Sequence, residues 1–94
     1  MYSRSVILSN DTGLHVRPAT LFMEAASRFQ SSIGVRLGGQ RGDGKSAISL
    51  MLLEAGRGAR LTIEAEGADE VAAVDTLIDL VERLGDAGTS PAGG

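Results

Sequence analysis

Hydrophobic and polar positions along this chain recur with two periods, and each period marks its own elements. Ile33, Val35 and Leu37 alternate with Gly34, Arg36 and Gly38, and Leu61, Ile63 and Ala65 alternate with Thr62, Glu64 and Glu66. A period of two puts one row of side chains on a core and the other in water, which predicts strands of an antiparallel sheet covered on one side. Tyr2 to Leu8 ends in the aliphatic run Val6-Ile7-Leu8 and meets the turn formers Ser9-Asn10-Asp11-Thr12-Gly13, so it reads as a strand and then a loop. From Pro18 to Phe29 the period changes. Ala19, Phe22, Ala26 and Phe29 fall three and four apart, the buried stripe of an amphipathic helix. A similar stripe of Val71, Val74, Ile78 and Val81, widened by Leu77 and Leu84, predicts a last helix, capped by Asp69 or its neighbour and stopped at Gly85.

The stretch from Ala47 to Leu53 is apolar around most of its circumference. A helix buries only one side against a sheet. With Leu50 and Leu53 inward, Ile48 and Met51, with Leu52 beside them, are left towards solvent as a patch of the kind that marks docking surfaces. The order of elements also calls for a short, weakly paired strand within the glycine-rich run from Gln40 to Asp43. The expected fold is therefore α+β, an open-faced β-sandwich of order βαββαβα, with three helices on one face of a four-stranded antiparallel sheet.

Composition narrows the function classes. Ninety-four residues make one small domain, expected over 1–85, with 86–94 a disordered tail of small and turn-forming residues. The absence of cysteine excludes disulfides, thiol catalysis and zinc–cysteine sites, and a single histidine cannot build a histidine cluster, so neither a metal nor another cofactor is expected. A net charge of −3 and one tyrosine with two phenylalanines argue against nucleic-acid binding. No run is apolar for long enough to be a signal peptide or a membrane span, so a cytoplasmic protein without membrane insertion is expected. Its partners should be other proteins.

The candidate chemistry lies in Gly13-Leu14-His15-Val16-Arg17-Pro18-Ala19. It puts the only histidine at the threshold of a helix, where backbone N–H groups lack intrahelical partners and the macrodipole is positive. A phosphoryl group on His15 would be stabilised there by roughly 0.3 to 2 kcal/mol. A ring nitrogen of His15 can attack phosphorus. Arg17 supplies a planar guanidinium able to hold two phosphoryl oxygens at once. Pro18 fits a first turn, although it biases Arg17 away from helical dihedrals.

This heptapeptide resembles the phosphorylation-site signature of the histidine-containing phosphocarrier proteins (HPr) of the bacterial phosphoenolpyruvate:sugar phosphotransferase system. The resemblance extends over residues 1 to about 85 and implies the same βαββαβα fold. It implies a stoichiometric carrier, not an enzyme turning over a small molecule: Enzyme I, charged from phosphoenolpyruvate, phosphorylates Nδ1 of His15, and the group passes to the A component of a sugar transporter. It also implies that Ala47, Ile48 and Met51 contact partners. A monomer is expected. The alternative is a regulatory HPr-like interaction protein of nitrogen or carbon control. Ser49 stands where many family members carry glycine, and the tail from Asp86 runs past the usual family end.

Ser46 reads as the N-cap of the middle helix. Lys45-Ser46 resembles the site phosphorylated in some HPr proteins by HPr kinase/phosphorylase, and a phosphate there would set negative charge beside the docking patch. Gly39-Gln40-Arg41-Gly42-Asp43-Gly44-Lys45-Ser46 also fits the spacing of a nucleotide-binding P-loop. Such a loop needs a buried parallel strand before it and a long helix after it, and the flanking patterns offer neither.

Overall fold

The computed structural model describes residues 1–89. Its elements run β1 (Tyr2–Ile7), α1 (Val16–Ala26), β2 (Ser32–Leu37), β3 (Gln40–Asp43), α2 (Ala47–Leu52), β4 (Arg60–Glu66) and α3 (Glu70–Thr89). The four strands form one antiparallel sheet in the order β1-β4-β2-β3. This is the α+β open-faced sandwich expected from the two periods. Val6 lies opposite Leu61 and Val35 opposite Ile63, so apolar rows of adjacent strands meet on the inner face. Phe22 of α1, Leu50 of α2 and Val74, Leu77 and Val81 of α3 close over that face as a single core. A one-residue slip of any strand would turn its apolar row to water, which is what fixes the register.

The outer face is polar, and it carries one buried charge. Glu64 accepts from Arg36 Nε at 2.7 Å and from Arg41 Nε at 3.0 Å, so β4, β2 and β3 are linked across the sheet. The bonds from Arg36 and Arg41 hold the Glu64 carboxyl below the usual range of glutamates.

Three sequence expectations need correction or refinement. Val71 is 52% exposed, and Ala73 joins Val74, Leu77, Ile78 and Val81 in the buried stripe of α3. Stripes one column apart share most of their members, and the approach angle of the helix decides between them. Asp69 holds the expected N-cap position of α3, its carbonyl accepting from Ala73 N at 2.9 Å, but its side chain is used elsewhere. Its carboxylate instead accepts from the N–H of Gln30 and of Ser31 at 2.9 Å each, and from the Ser31 hydroxyl, tying the α1–β2 turn to the β4–α3 turn. Finally, α3 does not stop at Gly85 but keeps helical backbone to Thr89. Glycine inside a helix costs only about 1 kcal/mol, which a turn already under way can absorb. The rest of the expected tail, 90–94, lies outside the described residues. Among the described residues, no helix is long and apolar enough to cross a membrane.

Candidate functional site

The loop after β1 presents His15, and three backbone features aim it. Gly13 has φ +64°, and a Cβ there would lie 2.2 Å from the carbonyl oxygen of Ala55, so only glycine fits. The N–H of Leu14 donates to that same Ala55 carbonyl at 3.0 Å, and the Leu14 side chain is buried. Asn10 donates from Nδ2 to the Gly13 carbonyl at 2.7 Å and accepts the Gly13 N–H on its own carbonyl at 3.3 Å. Asp11 and Arg57 add an exposed ion pair at 3.2 Å between this loop and the one after α2, worth at most about 1 kcal/mol.

His15 follows as the N-cap of α1, extended at φ −78° and ψ −174°, with a side chain that makes no capping bond. Its carbonyl accepts from Ala19 N at 2.9 Å, which closes the first turn. The imidazole is exposed. The N–H groups of Val16 and Arg17 come first in the helix and so have no carbonyl four residues back within it. Arg17 is helical despite the proline after it. Pro18 stands third in the helix, where an N–H would go unpaired in any case. Arg17 is exposed and forms no ion pair among the described residues. A free ring nitrogen, two free N–H groups and an uncommitted guanidinium therefore share one helix start.

α2 packs against α1, and the chain leaving α2 holds the histidine loop through Ala55. Leu50 and Leu53 are buried as expected, whereas Ile48 is 68% and Leu52 72% exposed, with Ala47 and Met51 half-buried. Val16, beside the histidine, is 56% exposed. Ser46 caps α2, its hydroxyl accepting from Ser49 N at 3.2 Å. It stands at the other end of α2 from Ala55, roughly 9 Å along the axis at 1.5 Å per residue. The structure thus keeps His15, Val16 and Arg17 together at the start of α1, packs α2 against that helix, and places Ser46 at the end of α2 away from Ala55.

The P-loop spacing has no matching geometry. β3 is an antiparallel edge strand, α2 has six residues, and Lys45 Nζ donates to the Phe29 carbonyl at 2.8 Å. Among the described residues, no group of three or more His, Cys, Asp or Glu side chains is placed to hold a metal ion. Sequence reasoning missed Asn10 and Ala55. Asn10 looked like one more turn former, and Ala55 gave no signal because it acts through its backbone.

Known proteins resemble this chain over most of its length. The family model for the PTS HPr component phosphorylation site matches residues 2–83. The chain is 42% identical over 84 residues to the phosphocarrier protein HPr of Haemophilus influenzae, covering 89% of this chain and 99% of that protein. The crystal structure of HPr-C-His from Thermoanaerobacter tengcongensis superposes with a TM-score of 0.87 at 37% identity, over 92% of this chain and 97% of that one. Crh, the Bacillus subtilis catabolite repression protein, described as a domain-swapped dimer, superposes at 0.72 with 34% identity, over 89% of this chain and 97% of that one.

Proposed function

The chain belongs to the HPr family of phosphocarrier proteins of the phosphotransferase system, and on that premise we propose that His15 accepts a phosphoryl group from Enzyme I and passes it to transporter A components. The observation that carries this reading is the exposed, uncommitted imidazole at the start of α1 with Arg17 two residues on. In the first transfer the lone pair of Nδ1 attacks the phosphorus carried on a histidine of Enzyme I. The new N–P bond forms as the old one breaks, and the donor imidazole leaves with the bonding pair. The second transfer repeats the step with His15 as donor. Such transfers need positioning and charge stabilisation more than covalent help. The N–H groups of Val16 and Arg17 and the Arg17 guanidinium supply that charge.

Ala47, Ile48 and Met51, with Leu52, form the docking surface for these partners, and the protein works in the cytoplasm. It works as a monomer. The open edge at β1 is guarded by Arg4, held by Asp75 at 3.0 Å, and an inward-turned charge on an edge strand discourages addition of another strand. A solution mass near 9.7 kDa is expected by light scattering. Ser46 is a regulatory phosphorylation site, since its hydroxyl lies beside the docking patch and a phosphate there suits a helix start.

The test is incubation with phosphoenolpyruvate and Enzyme I, with mass spectrometry before and after mild acid. A single added phosphoryl group that acid removes is the expected result. No uptake, or an acid-stable adduct alone, would overturn the carrier reading.

A further inference from the structure

The peptide unit joining Gly13 to Leu14 is gripped from both sides. Its carbonyl takes the hydrogen bond from Asn10 Nδ2 at 2.7 Å, and its N–H gives one to the Ala55 carbonyl at 3.0 Å. The Leu14 side chain is sunk in the core, and His15 is the next residue. A peptide plane held at both polar ends, followed by a buried anchor, leaves the histidine few ways to move apart from rotation of its own side chain. Of the two grips, only the one on the carbonyl comes from a side chain.

Asn10 is itself only 6% exposed, and its Nδ2 is committed to the Gly13 carbonyl at 2.7 Å. A buried amide in a bond of that length does not swing away without leaving donor and acceptor unpaired. We infer that Asn10 is a positioning residue for phosphoryl transfer, setting the orientation of the Gly13–Leu14 peptide and through it the line along which His15 Nδ1 meets phosphorus. The inference rests on His15 being the acceptor. In-line transfer is sensitive to displacements on the order of 1 Å, so loosening this peptide acts on the transfer step and leaves docking on α2 alone.

The test compares wild type with Asn10→Asp and Asn10→Ala in transfer from phosphorylated Enzyme I, at a temperature where circular dichroism shows each protein folded. Neither a carboxylate nor a methyl group donates to the Gly13 carbonyl. In both variants kcat should fall about tenfold or more, with KM within about twofold of wild type. The ratio of Asn10→Asp to wild-type rate should also climb towards one as the pH is lowered, because a protonated carboxyl is again a donor. In the wild type the Leu14 amide should exchange with solvent far more slowly than those of Asp11 and Thr12. Wild-type kcat in both folded variants, a rate ratio indifferent to pH, or a fast-exchanging Leu14 amide would each overturn the inference. Failure of wild type to take up phosphate on His15 sinks the carrier reading instead, while uptake with unaffected variants sinks this inference alone.

Discussion

At the scale of single residues the proposed site is sparse: one candidate nucleophile, one cation, and backbone. His15 is exposed and takes no part in the core, so His15→Ala should abolish acid-labile phosphorylation while thermal unfolding stays within about 0.5 kcal/mol of wild type. Full uptake of label by that variant would remove His15 from the mechanism. Arg17 is expected to matter through its shape as well as its charge. Arg17→Ala should slow transfer by about tenfold or more, some 1.4 kcal/mol of barrier, and Arg17→Lys should recover only part of this. Equal initial rates for the three proteins would show that the guanidinium does not touch the phosphoryl group.

At the scale of elements, α2 buries Leu50 and Leu53 in the core and carries the proposed docking patch on its other side. Its C-cap is Leu53, and the next residue, Glu54, has φ +55°, the left-handed position that helices normally give to glycine. Glu54→Gly should relieve that conformation and, after the added entropy of the unfolded chain, stabilise the fold by up to about 1 kcal/mol in urea titration. A lower urea midpoint would mean the Glu54 side chain contributes something its backbone conformation hides. At the other end, Ser46→Asp should leave stability nearly unchanged, because an acid suits a helix start, yet slow phosphorylation by Enzyme I at sub-saturating carrier. An unchanged rate would leave Ser46 with capping alone. The elements themselves were largely legible, since periods of two and of three to four are direct images of sheet and helix faces. The exposed side of α2 was legible too, for a helix apolar all round cannot bury every residue. Val71 was misplaced because a stripe shared by neighbouring columns gives no phase. The cross-turn role of Asp69 and the grip of Asn10 and Ala55 on the histidine loop depend on segments distant in sequence or on backbone atoms, and no local pattern carries them. The placement of His15 and Arg17 at the start of α1 was legible because a helix start is a local pattern.

At the scale of the whole molecule, two carboxylates hold distant parts together and should govern acid stability. Bonds from the Ser31 hydroxyl and the Gln30 N–H hold Asp69 below the ordinary aspartate range, as the two arginines do Glu64. A carboxyl with a lowered folded pKa contributes stability that is present above its unfolded value, about 4, and is lost as pH falls through the folded value. The wild type should therefore lose stability steeply below about pH 4, and Asp69→Asn should flatten that limb of a urea-midpoint profile. Parallel profiles would show that the Asp69 contacts carry no linkage. The molecule is also one-sided. The histidine loop is fastened through Ala55 to the chain leaving α2, and α2 packs against the helix that His15 begins. On the proposed relay, a giver and a receiver of phosphate stand in the same place, and neither can arrive until the other has gone. Traffic through the carrier becomes a queue, and a crowd of idle receivers would slow the loading of every carrier they occupy.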